Sequence, residues 1–512
     1  MPYVKNSANF RRRSRRSRAR KRVALLSAAA LAVSAVFFAL ALRERPHTLT
    51  IQRSAVVRIV RAYHERPAAW DPQTRRRLQE ELSDALSPAL ARSQDWSSAV
   101  LAQDGSLLYA DRPDSAVIPA STQKLIVADA ALALLGAQYR FSTLLAAEQP
   151  PQNGRIAGDL WLIGSGDPSL RSSAIIRGVR ALRARSIDAI AGGVAVDGSS
   201  IAGDEINPAW NATDANEDFM AATSGMSLDE DTVEFHVRGT SDGSPAEIYI
   251  NPPTAPITYE GAAVTGSYDD VVIAGTQAPN HFRIYGTIPP EIKETFYLPV
   301  HGIPQYAGRV MTGLLRRSGI EVARNPVTGA APLDAVALWN HRSGPLVELL
   351  RHMLVLSDNH YAEQLMRTLG GVDGAAANDA NGIAAEMHVL QAQGIPLSGI
   401  HLVDGSGLSE QNRISAMTLA RVLSHLDADP QGNLLYPLLA RGGRDGTLRM
   451  YRFTSAAGRV RAKSGHLADA SALAGYVQTR GHGRVAFAFL IDGSSQDADD
   501  AVVAAVDRLA LQ

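Results

Sequence analysis

The sequence predicts a multidomain α/β protein in which one domain is interrupted by a long β-rich insertion. Three observations carry the prediction. Helical periodicity marks the part before the insertion and the stretch after Pro326, short β-prone runs broken by Gly, Asp and Pro turns fill about 141–326, and two more strand-like runs stand near the end. At 512 residues the chain is too long for one compact core and should form two or three domains. An apolar content of 46% with 20% charged residues is that of a chain most of which folds.

Residues 1–22 carry "RRRSRRSRARKR" and no acid, and the next twenty, Val23 to Leu42, carry no charge. As a helix, such a segment spans about 30 Å, the thickness of a bilayer core. A basic arm ahead of it stays cytoplasmic, so 23–42 is expected to be a signal anchor or signal peptide. Everything after Leu42 is then exported, to the periplasm or the outer face of the cytoplasmic membrane. Ala39-Leu40-Ala41 offers a small-x-small cleavage pattern, whereas the length favours retention. Beside a span, the arginines are expected to set orientation or meet anionic lipid rather than nucleic acid. The chain has no cysteine, which excludes disulfides, thiolate-bound zinc and thiol catalysis.

From Thr50 to about Leu90 the pattern is polar and helical, and "QTRRRLQEELSDALSPAL" spaces its leucines for one buried face. In "SSAVLAQDGSLLYADRP", Asp104-Gly105 between apolar runs predicts a β-hairpin. Pro119 then opens a helix containing Ser121 and Lys124. In the middle, "GDLWLIG", "GGVAVDG", "DTVEFHV", "AEIYI" and "DVVIAGT" read as mainly β structure in one or two inserted modules. "GSGDP" is half of a nucleotide-binding glycine loop, but Ser169 replaces the third glycine and no lysine follows, so it reads as a turn. Helical period returns in "GPLVELLRHMLVLSDNHYAEQLMRTLG". "ASALAGYVQT" and "RVAFAFLID" then read as strands before a last helix, "DADDAVVAAVDRLALQ".

The chain has five lysines against 46 arginines. Lys5 and Lys21 belong to the basic arm, which leaves Lys124, Lys293 and Lys463. Arginine stays protonated, whereas a lysine amine loses its proton when buried or placed near another cation, so lysine persists where a guanidinium cannot serve. Lys124 follows Ser121 at i+3 and shares its helical face. An amine there can take the serine proton and turn a weak alcohol into a nucleophile, although a surface pair has the same spacing. Ser357-Asp358-Asn359 ends an apolar helix, where a hydroxyl and an amide can face a cleft as proton relay and substrate holder, or simply cap the helix. Lys463-Ser464-Gly465 precedes a strand-like run, where lysine, hydroxyl and a close-approach glycine suit a peptide carboxylate, or form an ordinary turn. The three occur in one chain, 236 and 106 residues apart, and use two of the three lysines beyond the basic arm.

That order, Ser-x-x-Lys, Ser-x-Asn, Lys-Ser-Gly, is the motif set of penicillin-binding proteins and class A β-lactamases. With "PASTQKL", "LWLIGSGDPSL", "LSDNHYAEQL", "VDGSGLSEQNRIS", "GGRDGTLRMYRF" and "RAKSGHLADASALAGYV", the chain resembles the class C low-molecular-mass penicillin-binding proteins. These are the D-alanyl-D-alanine carboxypeptidase/endopeptidase family of serine peptidases, and the likeness spans about Leu78 to Leu511. The long insertion between the first two motifs is a mark of that family.

The resemblance implies a penicillin-binding transpeptidase/β-lactamase-like domain at 78–143 and 322–512. It would be split by a first inserted module at 144–170 and 255–321 and a second at 171–254, with 43–77 as a membrane-proximal segment. It implies Ser121 as acylated nucleophile, Lys124 as its general base, Ser357 as relay to the leaving D-alanine, Asn359 as holder of the substrate amide and Lys463 as the electropositive group. Ser464 would bind the terminal carboxylate beside Gly465, and the backbone N–H groups of Ser121 and His466 would form the oxyanion hole. Ser464 and His466 depart from the usual Lys-Thr-Gly-Thr and bear on substrate preference. In "NPAWNATDANEDF", Trp210, Asp214 and Phe219 loosely match the residues that read the free end of the stem-peptide side chain. The partners implied are peptidoglycan peptides ending in D-Ala-D-Ala and β-lactam antibiotics, with no cofactor, metal or nucleic acid.

Two rivals share the acylating serine. A class A β-lactamase needs a Glu-x-x-Leu-Asn loop, and none stands between Asn359 and Lys463, whereas Glu363 follows the Ala-Glu-x-Leu pattern of carboxypeptidases. A membrane-tethered β-lactam or peptidoglycan sensor would keep the fold and lose turnover, yet every catalytic side-chain type is present.

Overall fold

Apolar alternation along three strands builds the centre of the protein. The computed structural model describes residues 68–512 apart from 215–216, 221, 430–432 and 494. The expected anchor at 23–42 lies outside the described residues, and among those described no helix is long and apolar enough to cross a membrane. A six-stranded sheet runs in the order Ala440–Arg441, Val460–Leu467, Ala470–Gln478, Arg484–Gly493, Ser93–Ala102, Leu107–Asp111, antiparallel throughout. Ala472, Ala474, Tyr476, Ala486, Ala488 and Leu490 enter one core. Leu473, Val477, Val485, Phe487, Phe489 and Ile491 enter the other. Successive side chains point to opposite faces, and both faces are covered, so these strands read as unbroken apolar runs. Ser93–Ala102 and Leu107–Asp111 form the hairpin predicted at Asp104-Gly105.

On the alanine-rich face lie the helices Lys124–Leu134, Leu346–Leu356, Asn359–Gly370, Asp379–Ala392 and Ala416–Asp427. On the other, Pro72–Leu90 packs beside the last helix, Ser495–Leu511. The first of these starts where Asp71 accepts the N–H of Gln73 at 2.9 Å and of Thr74 at 3.1 Å, satisfying donors that a helix start leaves free. Its Leu78, Leu82 and Leu86 are fully buried, the one-face spacing read from the sequence. Each such leucine contributes about 1.5–3 kcal/mol of transfer free energy.

The 141–326 stretch is less β than its sequence suggests. It contains two helices, Ser172–Ala184 and Ile303–Arg317, whose buried residues fall at helical spacing: Ile175, Val179 and Leu182 in one, Tyr306, Val310, Met311 and Leu314 in the other. The first is demanded by topology. Leu160–Ile163 and Val194–Asp197 pair in parallel, and parallel neighbours need a crossover connection long enough to return the chain. These two strands belong to a five-stranded sheet with Val327–Thr328, Ser142–Ala147 and Val336–Arg342. Ala189–Ile190 lies between Glu321–Val322 and Arg155–Ile156, and within residues 232–299 Thr232–Arg238 lies between Lys293–Pro299 and Glu247–Asn251, and His281–Tyr285 between Thr258–Gly261 and Val272–Gly275. Strand pairing joins Val194–Asp197 to Leu160–Ile163 and Lys293–Pro299 to Thr232–Arg238.

Candidate active site

Ser121 follows a residue held in an unusual backbone conformation. Ala120, just before it, has φ 45°, a left-handed conformation that L residues other than Gly, Asn and Asp avoid and that accumulates at functional sites. A 3-10 turn, Ala120–Gln123, then feeds the helix Lys124–Leu134, whose residues 124–131 are all buried. A helix apolar on every side belongs in a core, and Lys124 is carried into that core with it. Its Nζ donates to Ser121 Oγ at 2.9 Å, Asn359 Oδ1 at 2.7 Å and the Ser406 carbonyl at 2.7 Å. Burial pushes the Lys124 pKa down to about 8, against the opposing pull of Asp404, Glu363 and Asp358.

The apolar pattern 344–370 breaks at one residue. Ser357 takes φ 62° and ends Leu346–Leu356, and Asp358 caps Asn359–Gly370 by accepting the Tyr361 N–H at 3.0 Å. This reversal sends two neighbouring side chains to two different lysines: Asn359 to Lys124, and Ser357 Oγ to Lys463 Nζ at 2.8 Å. Asn359 Nδ2 also donates to the Phe219 carbonyl at 3.1 Å, which leaves Oδ1 for the lysine. Lys463, fully buried on the strand Val460–Leu467, donates to the Ser464 carbonyl at 2.6 Å as well. Burial, then the charge of Lys124, holds its pKa well below the ordinary lysine value. Among the described residues no carboxylate forms an ion pair with either amine.

The same strand closes over the nucleophile. The Gly465 backbone passes so near that a Cβ there would lie 2.9 Å from Ser121 N and from the Pro119 carbonyl. Ser464 Oγ donates to Thr447 Oγ1 at 2.7 Å. His466 stands at the rim, with Nε2 2.8 Å from Asp499 Oδ1 and 3.1 Å from the Tyr451 hydroxyl.

A serine hydroxyl bonded to a buried amine, beside a second buried amine bonded to another serine hydroxyl, is an arrangement suited to acyl transfer. Residues 77–512 match the D-Ala-D-Ala carboxypeptidase 3 (S13) family. The chain belongs to that family. It is a serine-type D-Ala-D-Ala carboxypeptidase. Over 449 residues it is 28% identical to the D-alanyl-D-alanine carboxypeptidase of Actinomadura sp., covering 84% of this chain and 83% of the relative. Over 393 residues it is 28% identical to D-alanyl-D-alanine carboxypeptidase DacB of Haemophilus influenzae, covering 74% and 81%. The crystal structure of penicillin binding protein 4 from H. influenzae superposes with a TM-score of 0.73 at 24% identity, over 83% of this chain and 97% of that one, which shows a shared fold.

In this S13 chain the three motifs separated in sequence meet through direct hydrogen bonds. The residues expected to read the substrate side chain are placed less uniformly. Trp210 is buried and turned inward, its Nε1 donating to Asp404 Oδ2 at 3.0 Å. Phe219 touches the site through its backbone, and Asp214 lies half-buried on the turn Ala212–Asp214. The linking segment of the insertion is itself part of the site's frame. His360 is buried against it, its Nδ1 2.9 Å from the Ala222 carbonyl and its Nε2 2.9 Å from Ser227 Oγ. Burial lowers the His360 pKa to about 4, so the ring is neutral and Nδ1–H donates while Nε2 accepts.

Sequence reading did not find the Ser406 carbonyl, the Thr447 hydroxyl or the role of Asp404. A carbonyl has no residue signature, and Thr447 and Asp404 stood inside quoted motifs without a partner to identify them. Among the described residues, Glu230, His352 and Asp358 have ligand atoms within 4.8 Å of one another. Arg171 pairs with Glu230, and His352 lies 3.0 Å from Asp358, so these groups already satisfy one another.

Proposed function

We propose that the enzyme removes terminal D-alanine from peptidoglycan stem peptides through an acyl-enzyme at Ser121. The contact that carries this reading is Lys124 Nζ at 2.9 Å from Ser121 Oγ. Ser121 Oγ attacks the carbonyl carbon of the penultimate D-alanine while its proton passes to the neutral Lys124 amine. The oxyanion is received by the backbone N–H groups of Ser121 and His466. The proton taken up by Lys124 is relayed through the Ser357 hydroxyl to the departing D-alanine nitrogen as the C–N bond breaks, leaving Lys124 neutral and Ser357 protonated. Asn359 holds the substrate amide, Ser464 beside Gly465 receives the terminal carboxylate, and Lys463 supplies the positive field. Water then attacks the ester, releasing the shortened peptide and returning the hydrogen to Ser121. A β-lactam acylates the same serine but keeps its leaving nitrogen tethered, so deacylation is slow. Penicillin binding protein 4 of H. influenzae has been solved in complex with a β-lactam.

Asp214 and Phe219 remain the side-chain readers in this proposal, with Trp210 supporting them from behind. Residues 23–42 act as anchor or signal segment and place the enzyme in the periplasm or on the outer face of the membrane. Strand pairing supports inserted modules at about 142–200 with 300–342, and about 232–299. Family membership supports a peptidase over a β-lactamase or a sensor without turnover.

The test mixes purified protein with a fluorescent penicillin and with a D-Ala-D-Ala peptide. Wild type is expected to label stably and release D-alanine; Ser121→Ala is expected to do neither while keeping its circular dichroism. Labelling of that variant at the wild-type rate would refute the assignment. Rapid drug turnover would mean a β-lactamase, and labelling without peptide cleavage a sensor.

A further inference from the structure

Proton acceptance by Lys124 requires that the neutral amine aim its lone pair at Ser121. An ammonium has three hydrogens, and Lys124 Nζ has three oxygen partners, Ser121 Oγ, Asn359 Oδ1 and the Ser406 carbonyl. A neutral amine keeps two hydrogens and one lone pair. The Ser406 carbonyl can only accept, and Asn359 presents its oxygen because its Nδ2 is donated to Phe219. Those two acceptors therefore take both hydrogens, and the lone pair is left facing the serine hydroxyl. The position of the Ser406 carbonyl decides whether this works.

That carbonyl is held from the far side by an acid. Glu363 lies one turn after Asn359 on the same helix, 1% exposed, and its Oε1 accepts the N–H of Gly405 at 3.0 Å and of Ser406 at 2.7 Å. The one helix thus places one acceptor on the lysine directly and the other through the 404–407 loop. We infer that Glu363 is a positioning residue for acylation: by holding the Gly405 and Ser406 amides it keeps the Ser406 carbonyl on Lys124 and so aims the amine at Ser121. The inference rests on Lys124 being the base. Burial, then the charge of Asp404, push the Glu363 pKa up to about 8, and a glutamine keeps the acceptor oxygen that holds the two amides.

The experiment resolves penicillin acylation by stopped flow into the dissociation constant of the first complex, K, and the acylation rate constant, k2. Glu363→Gln is expected to keep k2 within about threefold of wild type, whereas Glu363→Leu lowers k2 by about 30-fold or more with K unchanged. Gly405→Ala attacks the loop independently, since its Cβ would lie 2.7 Å from Met366 Cβ; it should lower k2 about tenfold with K unchanged. Wild-type k2 in Glu363→Leu, or equal losses in Glu363→Gln and Glu363→Leu, would overturn the inference. Should Glu363→Leu not fold, wild-type k2 in Gly405→Ala overturns it and a selective loss of k2 supports it. Ser121→Ala is the control that separates the two readings: labelling by that variant refutes the nucleophile, whereas an unlabelled Ser121→Ala with an unaffected Glu363→Leu refutes the positioning role alone.

Discussion

As the proposed base, Lys124 has a working pH set by a balance the structure makes visible. The amine is fully buried, and desolvation lowers its pKa from 10.5 to about 8 although Asp404, Glu363 and Asp358 pull the other way. At pH 7.5 an amine of pKa 8 is neutral in about a quarter of molecules, whereas one at 10.5 is neutral in about one in a thousand, a difference of roughly 200-fold in competent enzyme. Acylation by a fluorescent penicillin, followed from pH 5.5 to 9.5 as k2/K, should rise with pH and level off above an inflection near 8. At pH 6 the rate should be about 100-fold below the plateau. Lys124→Arg should be nearly inactive at every pH in that range, because a guanidinium does not release its proton there. An inflection well below 7 would be inconsistent with Lys124 as the titrating base. A flat profile, or an active Lys124→Arg, would refute the reasoning altogether.

Ser357→Ala should lower k2 by about 100-fold through loss of the relay, with the fold intact by circular dichroism, and a loss under about threefold would remove Ser357 from the proton path. Trp210→Phe removes the donor to Asp404 Oδ2 and should reduce unfolding free energy by about 1–2 kcal/mol while leaving K unchanged; weaker substrate binding at unchanged stability would restore Trp210 as a reader of substrate. Asp129, buried in the nucleophile's helix with Gln393 Nε2 donating to it at 2.8 Å, has a pKa raised to about 7 by burial. The folded state therefore holds a proton that the unfolded chain releases near 3.8, so the associated stability is present at low pH and lost as pH rises from about 4 to 7. Asp129→Asn should match wild type in thermal unfolding at pH 4 and exceed it at pH 8, by up to roughly 4 kcal/mol; equal stability at both values would show that the carboxyl is not buried as described.

Much of the site was legible because its chemistry is local. Ser121 and Lys124 are one turn apart, and in an arginine-rich chain a retained lysine marks a place where a proton must be given up. Ser357 and Asn359 flank a break in an apolar period, and the central strands Ala470–Gln478 and Arg484–Gly493 declared themselves as unbroken apolar runs. The helices Ser172–Ala184 and Ile303–Arg317 carry readable periodicity too, but they lie among β-prone runs that dominated the reading.

By itself the amino-acid sequence determined the order of the motifs, the family and two apolar strands near the end, since these follow from residue type and from spacing within one turn or one strand. Tertiary structure alone decided which lysine meets which partner, that Trp210 faces inward, and that a backbone carbonyl 282 residues away aims the catalytic amine. The physical reason is that carbonyls and amides are the same at every position, so their role exists only where the fold has brought a partner within about 3 Å. The lowered pKa of Lys124 belongs to the same class, for desolvation is a property of what surrounds a residue rather than of the residue.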